Sequence, residues 1–131
     1  SYIMEKMNKP ESQSIDFRPL ISDSGNKRKV LTMLVKESET NKEELVEAIR
    51  NKDRMRIKEI IHRMFPMWEM LGIAEELQEY RNLVHDDSSG DQVMKEWTLK
   101  ITTSLDRLVS AAENEINSLI RQENEKENTD S

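Results

Sequence analysis

The strongest constraint on the fold is a helical repeat of apolar residues near the end of the sequence. They recur about every 3.6 residues, at Met94, Trp97, Ile101, Leu105, Leu108, Ala112, Ile116 and Leu119. This spacing predicts a long amphipathic helix with one buried face. Similar but shorter patterns predict helices over about 26–50, 53–69 and 73–85, with short connections. The sequence therefore predicts an all-α fold, an antiparallel up-down four-helix bundle.

The domain organisation follows from where these patterns begin and end. Residues 1–16 are polar and contain Pro10, which is typical of a linker, and the first residues suggest a cut inside a longer protein. The bundle is predicted over 17–121, with a short N-terminal helical lid at 16–21, and a fraying polar tail over 122–131. Thr40 and Glu43 resemble a capping box, so a break in the first long helix is an alternative to the continuous helix that we favour.

Composition narrows the possible functions. A chain of 131 residues is enough for one domain. Its net charge of −6 disfavours nucleic acid as a partner. The absence of cysteine excludes disulfides, thiolate metal sites and cysteine nucleophiles. Without an apolar run long enough to cross a bilayer, we expect no direct membrane contact and a cytoplasmic location. No feature of the sequence argues for a dimer.

The helix over 53–69 contains the most informative histidine. On a helical wheel at about 100° per residue, one arc of this helix is apolar and predicted to face the core. The arc consists of Ile57, Ile60, Ile61, Met64, Trp68 and Leu71. His62 lies about 150° from the centre of that arc. We therefore predict that the His62 side chain faces solvent.

Apolar residues accompany His62 on the outward side of the helix. Met55, Phe65 and Pro66 are predicted to lie there, where a solvated helix usually has charged side chains. A contiguous exposed apolar patch indicates a docking surface. Pro66 cannot donate a backbone hydrogen bond to the carbonyl of His62. The helix either ends early, near Phe65, or is kinked one turn beyond the histidine.

The chemistry open to His62 is limited by its surroundings. A metal site needs further ligands, and the only other histidine is His85, on another predicted helix. General acid–base catalysis needs a substrate cleft, which a small helical bundle rarely provides. Nucleophilic attack by an exposed neutral imidazole remains. The alternative is a helical interaction module that binds partners without chemistry, in which His62 is incidental.

The stretch from Ile60 to Gly72 resembles the signature of histidine phosphotransfer (HPt) domains. In that family the phosphorylated histidine lies on the second bundle helix and a glycine follows ten positions later, as His62 and Gly72 do here. Met64 and Leu71 match apolar positions of the signature. The Met-x-Pro variant is similar to HPt modules at the C-terminal ends of hybrid two-component sensor histidine kinases of the Bacteroidetes type.

The resemblance implies a phosphorelay role. His62 would accept a phosphoryl group from a receiver-domain aspartate and pass it to another receiver. The chain itself would bind no cofactor, the receiver would supply Mg²⁺, and the chain would have no autokinase activity. The implied receiver-docking residues are Met55, Glu59, Arg63, Phe65, Pro66 and Glu69.

The sequence departs from the family in two positions. The family usually has lysine three positions after the histidine and glycine four positions after it, where this chain has Phe65 and Pro66. The lysine is associated with neutralising the phosphoryl charge. We predict that Lys58, one turn before His62, supplies a substitute charge, and that Gly72 marks the end of the helix.

Overall fold

A computed structural model of the chain describes residues 15–130, with side chains up to 127. The described residues form five helices and no strand, which confirms the all-α prediction. The helices are α1 (Arg18–Ile21), α2 (Lys27–Arg50), α3 (Arg54–Met70), α4 (Glu75–His85) and α5 (Asp91–Asp130). All but the last two residues of the predicted linker over 1–16 lie outside the described residues.

Side-chain caps fix where the two central helices begin. The Asn26 side chain accepts a hydrogen bond from the backbone N–H of Lys29 at 3.1 Å, and Asp53 does the same for Arg56 at 3.0 Å. Each cap satisfies one of the N–H groups that the first turn of a helix leaves without an intrahelical partner. α2 and α3 therefore begin close to the positions that the sequence predicts.

α2 is continuous, so the alternative of a break near Thr40 is wrong. Within its polar middle section, Ser38 is buried and Lys42 donates to Asp106 of α5 at 2.8 Å. Contacts with α5 thus anchor the section in which the apolar stripe is interrupted. Glutamate and lysine in this section also favour helix.

One hydrophobic core joins the helices. α2 packs mainly against α5, and further contacts join α2 to α3, α3 to α4, α4 to α5 and α1 to α2. The five residues of α3 predicted to face the core are all buried, and so is Leu71, the residue just after the helix. The predicted short N-terminal helix forms over Arg18–Ile21. Its Ile21, and Phe17 just before it, are buried in the same core cluster.

A buried polar contact joins α4 to α5. The hydroxyl of Thr98 donates to the backbone carbonyl of Met94 at 2.7 Å. Because Thr98 has one hydroxyl hydrogen, its contact with the Tyr80 hydroxyl at 2.7 Å must be a bond that Tyr80 donates. Burial raises the pKa of Tyr80 to about 12.

The C-terminal segment differs from the prediction. The sequence predicts a polar tail that frays from Gln122, whereas α5 continues to Asp130. Glu123 pairs with Arg28 of α2 at 2.9 Å. Glutamate, glutamine and lysine, which make up five of the nine residues from Gln122 to Asp130, have high helix propensity. The apolar period ends before the helix does.

Candidate functional site

α3 ends at Gly72 through a specific hydrogen-bond pattern. Gly72 has a φ of 71°, in the left-handed region. Its N–H donates to the carbonyl of Glu69 at 3.0 Å, and the N–H of Ile73 donates to the carbonyl of Trp68 at 2.9 Å. These two bonds form a Schellman motif, which requires a residue that accepts positive φ. The predicted helix end at Gly72 is confirmed.

Pro66 lies inside α3 and does not end it. The helix continues to Met70, so the interpretation in which it ends near Phe65 is wrong. Pro66 is exposed, and its nitrogen has no hydrogen to donate to the carbonyl of His62. The backbone carbonyl of the candidate nucleophile therefore lacks the helical hydrogen bond that residue 66 would otherwise provide.

His62 is exposed, as the helical wheel predicts. Within residues 15–130, no hydrogen bond or salt bridge engages its imidazole. Its ring nitrogens are thus open to solvent and to an incoming reactant. The side chain lies near the middle of α3, which the buried face described above holds against the core.

The predicted apolar patch around His62 is only partly present. Met55 is 69% exposed and Pro66 is exposed on the outward side. Phe65 is only 9% exposed and belongs to the core cluster. The prediction that Phe65 forms part of an exposed docking surface is therefore wrong.

Phe65 is buried because α4 covers it. On the wheel it lies about 90° from the centre of the apolar arc, at the border between core and surface. The guanidinium of Arg81, on α4, lies 4.2 Å from the centroid of the Phe65 ring, a cation–π contact. The side chain of Arg81 also donates to Gln78 at 2.7 Å.

Sequence reasoning missed Arg81, although the chain contained a signal for it. Arg81 follows Leu77 by one helical turn and Tyr80 by one residue, and both of these side chains are buried. A residue in that register lies at the edge of the core-facing side of α4. The sequence does not say which neighbouring helix that edge faces.

Acidic residues neutralise two of the arginines on α3. Glu44 of α2 pairs with Arg56 at 3.2 Å and also with Arg63. Glu59 pairs with Arg56 at 3.0 Å. Asn41 accepts a further bond from Arg63 at 2.7 Å. The predicted docking residues Glu59 and Arg63 are both exposed, and each already has a charged partner within the protein.

Lys58 and Glu69 are the remaining predicted site residues, and His85 is the second histidine of the chain. Lys58 is half-buried, and no acidic side chain of the described segment forms a salt bridge with it. Glu69 is exposed two turns after His62. His85 is exposed in the last turn of α4. Among residues 15–130, no group of three histidine, aspartate or glutamate side chains lies close enough together to hold a metal ion.

The arrangement can present a nucleophile but does not enclose a substrate. The imidazole of His62 stands on the surface of a helix, on the same outward side as Met55 and Pro66. No helix of the described part is both long and apolar enough to cross a bilayer.

Comparison with protein-family models, with curated proteins and with solved structures found no match to this chain.

Proposed function

We propose that this protein is a phosphorelay intermediate that carries a phosphoryl group on His62. The observation that carries the proposal is an exposed imidazole near the middle of α3, with no hydrogen-bond or salt-bridge partner among the described residues. Met55 and Pro66 on the same outward side support it, because they offer an apolar contact for a docking protein. The HPt-like spacing of His62 and Gly72 agrees with the same function.

The architecture that we propose is the antiparallel up-down bundle formed by α2 to α5. Short links at 51–53, 71–74 and 86–90 favour antiparallel neighbours. Arg28 pairs with Glu123, whereas Lys42, further along α2, pairs with Asp106, earlier in α5. That order supports opposite directions for α2 and α5. Contacts of α2 with both α3 and α5 support closure of the four helices around one core.

The transfer step involves one bond formed and one bond broken at phosphorus. The lone pair of His62 Nε2 attacks the phosphorus of an aspartyl phosphate on a receiver domain, while the proton of the neutral imidazole stays on Nδ1. The bond between phosphorus and the aspartate oxygen breaks, and its electron pair returns to the carboxylate. Mg²⁺ on the receiver offsets the negative charge of the transferring group. A second receiver reverses the step with its own aspartate.

The chain contributes position and access to this step. Met55 and Pro66 would supply the apolar part of the receiver contact, and Glu59, Arg63 and Glu69 would supply polar contacts at its edge. Phe65 has no such role in the proposal, because it is buried beneath Arg81. We infer that the reaction takes place in the cytoplasm, that the chain acts as a monomer, and that it holds no cofactor of its own.

The test is transfer of labelled phosphate from a phosphorylated receiver domain with Mg²⁺. We expect an acid-labile, alkali-stable label on the wild-type protein and none on His62→Gln. His85→Gln is the matched control, because His85 is also an exposed helical histidine, and it should be labelled like the wild type. Absence of label from the wild type across a panel of receivers would favour an interaction module without chemistry. Label that persists in His62→Gln would exclude His62 as the acceptor.

A further inference from the structure

A phosphoryl group on His62 needs a positive charge close to it. The group carries close to two negative charges at neutral pH, and the chain already has a net charge of −6. A cation that contacts the phosphoryl oxygens would stabilise the phosphorylated state. The described lysine and arginine side chains around His62 can be compared in two respects: their position relative to the histidine, and the acidic side chains with which they already pair.

Phe65 brings Arg81 to the histidine side of α3. Residues three apart on a helix have Cβ atoms about 5–6 Å from each other, so Phe65 is a direct neighbour of His62. Long side chains on a helix lean towards its N-terminus, which directs the Phe65 ring back towards the turn that contains His62. The guanidinium of Arg81 lies 4.2 Å from the centre of that ring.

Arg81 also differs from the other arginines near His62 in its charge balance. Arg56 and Arg63 both pair with Glu44. Arg81 bonds to the neutral side chain of Gln78, and no carboxylate in the described range 15–130 forms a salt bridge with it. Its positive charge is therefore not paired with any acidic side chain of the described residues, and it is partly shielded from water at the contact between α3 and α4.

We propose that Arg81, stacked on Phe65, contacts the phosphoryl group on His62 and stabilises its negative charge. This inference rests on the proposed function. The planar guanidinium has several N–H groups, so it can keep its bond to Gln78 while it donates to phosphoryl oxygens. The reactive histidine and its charge partner would then come from two adjacent helices, with a buried phenylalanine between them.

The test uses phosphoramidate, a small phosphoryl donor that requires no receiver. His62 Nε2 attacks phosphorus, the phosphorus–nitrogen bond breaks and ammonia leaves. The ³¹P NMR shift of the phosphohistidine is then followed against pH to obtain the pKa for the second ionisation of the phosphoryl group. A nearby cation lowers this pKa, whereas a purely structural role for Arg81 would not change it. Circular dichroism establishes that each variant is folded.

We expect Arg81→Gln to raise this phosphoryl pKa by about 1 unit and Arg81→Lys to recover at least half of the difference. Arg107→Gln is the matched control, since Arg107 is an exposed arginine on α5, and it should leave the pKa unchanged. Equal pKa values for the wild type and Arg81→Gln would overturn the inference. A rise in Lys58→Gln but not in Arg81→Gln would also overturn it, in favour of Lys58.

The two proposals fail in different ways. If the wild type is labelled by phosphoramidate but by no receiver, the relay function is contradicted while the effect of Arg81 is still measured. If receivers label His62 and removal of Arg81 leaves the phosphoryl pKa unchanged, the relay stands and Arg81 is excluded.

Discussion

The Tyr80 hydroxyl donates to the Thr98 hydroxyl across the contact between α4 and α5, at 2.7 Å. Tyr80 is fully buried, and its pKa is raised from 10.0 to about 12. In the folded protein its proton is thus held more tightly than in the unfolded chain. The associated stability is complete below about pH 10 and is lost as the pH rises through about 12.

We predict from this that alkaline pH weakens the fold through Tyr80. The free energy of unfolding, measured by urea titration, should fall by about 2 kcal/mol between about pH 9 and about pH 12. Tyr80→Phe should cost about 1 kcal/mol at neutral pH, for the lost hydrogen bond, and should have a flatter alkaline profile. Parallel profiles for the two proteins would assign the loss to other groups.

Gly72 is predicted to be sensitive to substitution for backbone reasons alone. A Cβ at Gly72 would meet no atom within 4 Å, but the φ of 71° disfavours any residue with a side chain. Gly72→Ala should therefore lower the free energy of unfolding by about 1 kcal/mol. Gly25 has equally open space and no positive φ. Gly25→Ala should leave stability unchanged or slightly higher, and an equal loss in both variants would contradict the backbone explanation.

Pro66 is expected to weaken α3. Pro66→Ala restores an N–H that can donate to the carbonyl of His62 and removes the clash of the ring with that carbonyl. The free energy of unfolding should rise by about 1–3 kcal/mol. Asn117→Ala, at an exposed position of α5 without a described side-chain bond, measures the ordinary gain in helix propensity, which is below about 1 kcal/mol. Equal gains would mean that α3 accommodates the proline without strain.

Met55 is predicted to contribute to receiver binding and not to stability. It is 69% exposed, and Leu99 on α5 is a matched apolar residue at 67%. Neither Met55→Ala nor Leu99→Ala should change the free energy of unfolding by more than about 0.5 kcal/mol. Calorimetry with a receiver domain should show about tenfold weaker binding for Met55→Ala and none of this weakening for Leu99→Ala. Equal affinities of the two variants would locate the docking surface elsewhere.

The helices and the exposure of His62 could be predicted because both depend on periodicity within one segment. Ile57, Ile61 and Met64 repeat at helical spacing and therefore lie on one side of the helix. Their position around the helix axis places His62 on the opposite side. Phe65 could not be assigned in this way. It lies at the border of the apolar arc, where burial depends on whether a neighbouring helix covers that border.

The contact between Arg81 and Phe65 could not be predicted from the sequence for the same reason. It depends on the direction in which α4 packs on α3, which no pattern within either segment specifies. Apolar periodicity does not predict the extension of α5 beyond Arg121, because the periodicity ends before the helix does. Propensity and a pair between Arg28 and Glu123 continue the helix after the periodicity ends.

α5 is one continuous helix, but its buried part and its exposed C-terminal end differ in local stability. Its 40 residues span about 60 Å. Ile101, Leu105 and Leu108 are buried in the core, whereas residues 121–127 are all exposed. Backbone amides in the first group can exchange with solvent deuterium only when the whole fold opens, and those after Glu123 need only local fraying. The same helix would therefore contain some of the slowest and some of the fastest exchanging amides in the protein.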